Sequence, residues 1–400
     1  VSAGLPAPRL GDRSLFPELR ASAYLAHAAI SPPSRLVDAA LASYRGLIAS
    51  EGALGFGRTI EQRLRLRERL AALLGARAEE VAIVPNTSAG VSAVALSLPW
   101  ARGDRAVVFA GEFPANVTPW QRAAERFGVE LVMQSADRFR TDPDGAFAAL
   151  DAALDRGARL VAVSQVQFQT GHRMPVRALA ARCHARGAEL FVDAIQGLGA
   201  TPIDVVADGV DYLAAGGHKW LMGVEGAGVL YVRESRAAAL RPDSAGWLSH
   251  VDPARFLVAG EGGHLRYDRP LRARADVFEG GTFNALGCYA LEASVDALLG
   301  LGVEAIHAHV NAYLDALEPG LAARGCVSLR SPDPAARSCI LAVRPPPGAH
   351  TVATLARALA LRGVTVSTPD GLLRFAPHWP NHRDEVPGVL AAFDDALRSP

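Results

Sequence analysis

Through the middle of the chain, short apolar runs alternate with stretches of helical periodicity, and this alternation limits the fold more than any other feature. "EQRLRLRERLAALLG" carries apolar residues at helical spacing and stops at Gly75. "EVAIVPN" reads as a strand, and "AGVSAVALSL" as the helix after it. The strand "RAVVFAG" comes next, then the helix "TPWQRAAERFG" and the strand "VELVMQS". "ARLVAVSQV" and "AELFVDAIQ" are apolar strands divided by the helix "VRALAARCHARG", and "VDYLAAGG" and "GAGVLYVR" close the series. Alternation of this kind predicts the α/β class, a mostly parallel sheet with helices on both faces. The last hundred residues differ in texture. "CVSLRS", "SCILAVRP", "VTVSTP" and "GLLRFAP" read as short strands, with helices in "TVATLARALALRG" and "DEVPGVLAAFDDALRS". The expected organisation is a large domain over 22–296 and a smaller α+β domain over 297–400 that also gathers residues 1–21.

In an open α/β sheet, ligands gather beyond the carboxyl ends of the strands, so polar residues there are the candidates. Asn86, Thr87 and Ser88 follow "VAIVP" and lead into a helix. Such a helix start can seat an anion on its free N–H groups, although simple N-capping uses the same residue types. Glu112 and Phe113 follow "RAVVFA". Asp193 ends "ELFV", with Gln196 three residues on, and a carboxylate there is costly unless a cation or donor meets it. His218 and Lys219 follow "VDYLAA" inside "GGHKWLMG", a stretch that alone reads as a basic turn. Arg374 sits in the apolar strand "LLRFAP", where a lone guanidinium is hard to bury. The set answers the needs of pyridoxal phosphate: a lysine for the Schiff base, a carboxylate for the ring nitrogen and a seat for the phosphate. Phe113 can cover one ring face, and Arg374 can hold a substrate carboxylate.

Composition narrows the field. A hydrophobic share of 50% and a charged share of 20% suit a soluble globular enzyme. Basic and acidic residues balance at 41 each, so no field draws the chain to nucleic acid or anionic membrane. No apolar run is long enough to span a bilayer, and "VSAGLPAPRLGDRS" lacks a signal-peptide core. Cys183, Cys288, Cys326 and Cys339 are scattered without a CxxC and read as buried thiols of a reducing cytoplasm, not as a metal or disulfide frame.

The chain resembles the class V aminotransferase family of pyridoxal-phosphate enzymes, which includes cysteine desulfurases, kynureninase and isopenicillin N epimerase. The resemblance runs over roughly residues 22–385 and rests on "YLAHAAISP", "NTSAG", "EFPANVTPW", "VDAIQGLGATPIDV", "AGGHKWLMG", "FEGGTFN" and "LRFAPHWPNHRDEV". It implies fold type I, with a mostly parallel seven-stranded sheet in the large domain, and a homodimer. Lys219 would carry the cofactor, Asp193 would pair with the pyridine nitrogen, and Gln196 would bond the ring hydroxyl. Thr87, Ser88 and His218 would hold the phosphate, with Thr282 given across the dimer interface. Phe113 would stack on the ring. Arg374 would bind the substrate carboxylate, with His27 and Ala28 close to the substrate and Arg58 a further candidate contact. The glycines around Lys219 would let backbone approach the cofactor.

Three departures from the family pattern bear on the reaction. Many relatives have serine at the position of Gly216, and desulfurases stack a histidine where Phe113 stands. Desulfurases also carry a nucleophilic cysteine shortly before the arginine segment, where this chain reads "VTVSTPDGLLRF". Cys339, upstream in a strand, is a poor substitute. The expected activity on an α-amino acid is therefore C–S or other β-lyase chemistry or amino transfer, not persulfide-forming desulfuration, with an epimerase or a non-catalytic dimeric scaffold as alternatives. A dinucleotide site at "GALGFG" (52–57) fails because the motif follows a helical pattern, and His307, His309, His378 and His382 lack metal-ligand spacing.

Overall fold

The computed structural model describes residues 4–348 and 351–398; residues 1–3, 349–350 and 399–400 of the expected smaller domain lie outside the described residues. After the short β1 (Ala23–Tyr24) come β2 (Val81–Val84), β3 (Arg105–Ala110), β4 (Glu130–Ser135), β5 (Ala158–Ser164), β6 (Glu189–Asp193), β7 (Tyr212–Gly216) and β8 (Gly228–Val232). These last seven form one sheet in the order β2-β8-β7-β6-β5-β3-β4. From β4 to β7 all neighbours are parallel, while β8 runs antiparallel to both β7 and β2. The seven strands and their mostly parallel sense agree with the sequence reading.

Helices Thr87–Ser97, Thr118–Phe127, Pro143–Asp155 and Val176–His184 fall between successive strands, as parallel crossovers require. β7 and β8 are joined by residues 217–227 with no helix, so β8 returns beside β7 in the opposite sense. Alternate residues serve opposite cores, as strand geometry dictates. In β3, Val107 and Phe109 enter one cluster while Ala106 and Val108 enter the other, and in β6 Leu190 and Val192 oppose Phe191. Both faces being covered, β2, β7 and β8 are buried at every residue.

The C-terminal part holds β9 (Val327–Ser328), β10 (Leu341–Arg344), β11 (Val364–Thr365) and β12 (Leu373–Phe375). β12, β10 and β9 form an antiparallel sheet, whereas β11 pairs in parallel with β1 through Ala23↔Val364 and Tyr24↔Thr365. The N-terminal segment is tied to the same region, for the Gly11 N–H donates to the Trp379 carbonyl at 2.7 Å. Among the described residues no single helix is long and apolar enough to cross a membrane.

Candidate active site

The sheet register sets Ser164 and Asp193, the last residues of β5 and β6, in one row with Ala214 of β7. Asp193 is 1% exposed. Its Oδ1 accepts the Ile195 N–H at 2.9 Å, and its Oδ2 has no partner. Burial pushes this carboxyl up to about 7; the Ile195 bond opposes that rise, the neighbouring Glu112 adds to it and Lys219 opposes it.

Lys219 stands in the loop between β7 and β8. The Gly217 N–H donates to the Ala227 carbonyl at 2.8 Å, and the Gly223 N–H to the Gly217 carbonyl at 2.8 Å. A Cβ at Gly217 would lie 2.6 Å from the Ala227 carbonyl oxygen, and one at Gly228 would lie 2.5 Å from that of Ala215. Gly217 and Gly228 thus let two stretches of this chain's own backbone meet. At Gly216 a Cβ would stand 3.1 Å from Ile195 and 3.2 Å from the His218 ring, so the hydroxyl that relatives carry there has little room.

Three successive carbonyls of the loop are held from behind. The Ser31 N–H donates to that of His218 at 2.9 Å, the Ser31 hydroxyl to that of Lys219 at 2.7 Å, and His378 Nε2 to that of Trp220 at 2.9 Å. The Ser31 hydroxyl has one proton, so His27 Nδ1, 2.8 Å away, must be the donor to it. His378 Nδ1 accepts the Trp379 N–H at 2.7 Å, which leaves the proton on Nε2. Burial lowers both rings' affinity for a second proton, that of His378 to about 4. His27, taken from the sequence as a substrate contact, is buried behind the lysine loop and braces it through Ser31. Ala28 is also buried, and its carbonyl accepts Gln196 Nε2 at 3.1 Å. Gln196 Oε1 takes the Trp220 indole N–H at 3.1 Å, so one Nε2 proton remains for a ligand.

In front of the loop, Lys219 Nζ lies 5.6 Å from the centre of the Phe113 ring and makes no hydrogen bond or ion pair with any described residue. Burial, then the charge of Arg374, lower its amine to about 8, against the pull of Asp193. Phe113 is 44% exposed and meets Phe168 edge-on at 5.4 Å. Arg374 is 5% exposed on β12. Its Nε donates to Ser367 Oγ at 2.9 Å and its Nη1 to the Phe168 carbonyl at 2.7 Å, and no carboxylate among the described residues pairs with it. Burial lowers it to about 10. A buried guanidinium without a counter-ion is costly unless an anion arrives.

Thr87 is buried, and its hydroxyl oxygen accepts the Gly216 N–H at 2.9 Å, which leaves its own proton to donate. Asn86 caps the helix by accepting the Ala89 N–H at 2.9 Å. Ser88 is exposed beside it, and the half-buried His218 ring makes no hydrogen bond to a described residue. Thr282 is exposed and makes no hydrogen bond to a described residue. Its loop is fixed by Glu279, which takes Arg63 at 2.6 Å, Arg67 at 2.7 Å and the Ile83 N–H at 2.7 Å. Arg58 is exposed and paired with Glu51.

Sequence reasoning missed the roles of Ser31, His378, Ser367 and Phe168, whose partners come from distant segments. It also passed over a signal in plain view: Lys219 is the chain's only lysine, so the other 40 of its 41 basic residues (41 − 1) are arginines. Arginine can replace lysine in ion pairs but offers no free amine to an aldehyde.

The set fits pyridoxal phosphate. The orphaned Asp193 Oδ2 lacks the donor that a protonated pyridine nitrogen provides, and Lys219 offers an unpaired amine of lowered basicity. The helix that starts at Thr87 presents its N-terminus beside hydroxyls suited to a phosphate. Thiol chemistry is a poor fit. All four cysteines are buried, burial pushes their thiols up to about 11 for Cys326 and about 12 for the others, and the Cys339 thiol donates to the Ala200 carbonyl.

A family model, aminotransferase class-V, matches residues 23–372. The uncharacterized aminotransferase YcbU of Bacillus subtilis (strain 168) is 30% identical over 378 residues, 94% of either chain. A cysteine desulfurase of Enterobacter sp. (strain 638) is 35% identical over 292 residues, 71% of this chain and 68% of its own. Among solved structures, the cystine C–S lyase C-DES in complex with cysteine persulfide has a TM-score of 0.85 at 22% identity, over 95% of this chain and 99% of that one, a likeness of fold. The chain belongs to the class V aminotransferase family, and with it to the pyridoxal-phosphate enzymes of fold type I.

Proposed function

We propose that this protein removes the α-proton of an amino acid with Lys219 and then eliminates a β-substituent, as a C–S or other β-lyase, with transamination as the second reading. Two cations without a counter-ion among the described residues flank the Phe113–Phe168 pair and carry this reading: the Lys219 amine, 5.6 Å from the Phe113 ring centre, and the buried Arg374 guanidinium, held by the Phe168 carbonyl. Arg374 receives the substrate carboxylate and so aims the α-carbon at Lys219. When bound, pyridoxal phosphate supplies an aldehyde for the amine and a ring that accepts electrons from the α-carbon. Asp193 keeps the proton on the ring nitrogen, Gln196 gives its spare N–H to the ring hydroxyl, and Phe113 covers the ring. Thr87, Ser88 and His218 hold the phosphate, together with Thr282 of the partner subunit.

Phe113 carries no proton, so Lys219 is the site's one evident base. One base suffices to take the α-proton and let a thiolate leave as an anion; it also suffices to return the proton elsewhere on the same face, as transamination needs. Epimerisation by groups on both faces lacks its second group. Desulfuration through a persulfide on the enzyme's own cysteine lacks a reactive thiolate, although relatives are named cysteine desulfurases. A silent scaffold does not account for unpaired groups at both 193 and 219. We place the enzyme in the cytoplasm and read it as a homodimer, the latter in keeping with the exposed Trp247, Phe256, Leu257, Leu265 and Tyr267 on the segment before Thr282.

The test is a titration of the holoenzyme with a panel of amino acids, followed by absorbance and product analysis. Pyruvate with ammonia marks a β-lyase. One equivalent of keto acid per site, sustained only by a second keto acid, marks the second reading. Exchange of the α-proton for deuterium without product would point to epimerisation, and no spectral response to any amino acid would overturn the proposal.

A further inference from the structure

We propose that Glu112 is a positioning residue for substrate-carboxylate recognition: it locks the segment 164–168, from which Arg374 is aimed. The inference rests on the reading of Arg374 given above. Gly111 has a φ of 94°, a left-handed turn that suits glycine, and it redirects the chain after β3 so that Glu112 reaches the end of neighbouring β5. Glu112 is 8% exposed. Its Oε1 accepts the Ser164 N–H at 2.7 Å and Gln167 Nε2 at 2.9 Å, and its Oε2 accepts the Ser164 hydroxyl. No cation among the described residues forms an ion pair with it, so neutral donors alone hold a buried carboxylate.

The residue after Gln167 makes two contacts in the site. The Phe168 carbonyl accepts Arg374 Nη1 at 2.7 Å, and the Phe168 ring packs edge-on against Phe113, the residue after Glu112. A closed circuit results: Glu112 to Gln167, on to Phe168, and back through Phe113. Arg374 leaves the circuit at Phe168, its other anchor being Ser367 Oγ. Glu112 makes no hydrogen bond or ion pair with Lys219, Asp193 or Arg374 and reaches Asp193 only through its charge, yet loosening it frees the carbonyl that directs the guanidinium. A bidentate grip on a carboxylate tolerates little misalignment.

The experiment measures, by absorbance of the holoenzyme, the dissociation constants of L-alanine and of ethylamine, which lacks the carboxylate. For Glu112→Gln the expected result is about tenfold weaker binding of L-alanine with ethylamine unchanged. Arg374→Lys should show the same selectivity, and the double variant should bind L-alanine no worse than Arg374→Lys alone. A purely structural carboxylate would weaken both ligands alike, and that outcome, or full additivity, overturns the inference. If Glu112→Gln does not fold, Gln167→Met breaks the same link from the other side and is expected to give the same selective loss. Should Arg374→Lys leave L-alanine binding unchanged, the reading of Arg374 falls and takes this inference with it; should only Glu112→Gln be silent, the inference falls alone.

Discussion

Lys219 and Asp193 are pulled from their ordinary titration by burial, and the consequences for stability have opposite signs. Asp193 titrates near 7 in the folded chain, above its value of about 4 in an unfolded one. Its contribution to apoprotein stability is full below about pH 4 and is lost as pH rises through about 7. Lys219 is depressed to about 8, so its penalty holds below that pH and is relieved as pH rises toward about 10. Asp193→Asn should therefore raise the Tm of the apoprotein at pH 8, with the gain shrinking toward pH 4, while turnover by the holoenzyme falls by about 10²-fold. Thermal melts across pH, paired with rate measurements, check both halves. Arg374→Lys should lower kcat/KM for the amino acid by about 10–100-fold, because a point charge replaces a planar fork. At this scale the sequence was informative wherever a polar residue closed an apolar strand, as at Asp193, His218 and Lys219. It was silent on the contact of Gly217 with the Ala227 carbonyl, and on the brace at His27, which acts through Ser31 on Lys219, 188 residues beyond that serine.

The hairpin of β7 and β8 carries the lysine, and its closeness is a packing property. Gly217→Ala would drive a methyl group to 2.6 Å from a carbonyl oxygen, which should cost about 1–3 kcal/mol in chemical denaturation and weaken cofactor retention. An alanine tolerated without loss of either would contradict this view of the loop. The strands and helices of the large sheet were legible because their periodicity is local and strong. The return direction of β8 was not, since nothing in "GAGVLYVR" marks an antiparallel neighbour on each side. The joining of β1 to β11 was hidden for a similar reason. Two-residue strands carry almost no pattern, and the partner of Ala23 is Val364.

The whole molecule brings segments far apart in the chain to the lysine loop: Ser31 and His378 grip the consecutive carbonyls of Lys219 and Trp220. A second subunit is the remaining part of the proposal, because the exposed Thr282 is bound to no described residue and is expected to serve the partner's phosphate seat. The holoenzyme should behave in solution as twice 42.1 kDa, and cofactor affinity should fall on dilution to the monomer. Sedimentation with absorbance at the cofactor band reads both, and a monomer with full affinity would contradict the shared site. No surface pattern in the sequence announced this face; its apolar residues became recognisable only once the fold showed them uncovered. Attachment of the cofactor at Lys219 is directly testable because the chain has a single lysine. Borohydride reduction of the holoenzyme should fix one cofactor per chain, on the peptide containing Lys219, and Lys219→Ala should take up no label. Label on another amine, or label that survives in the variant, would contradict the account.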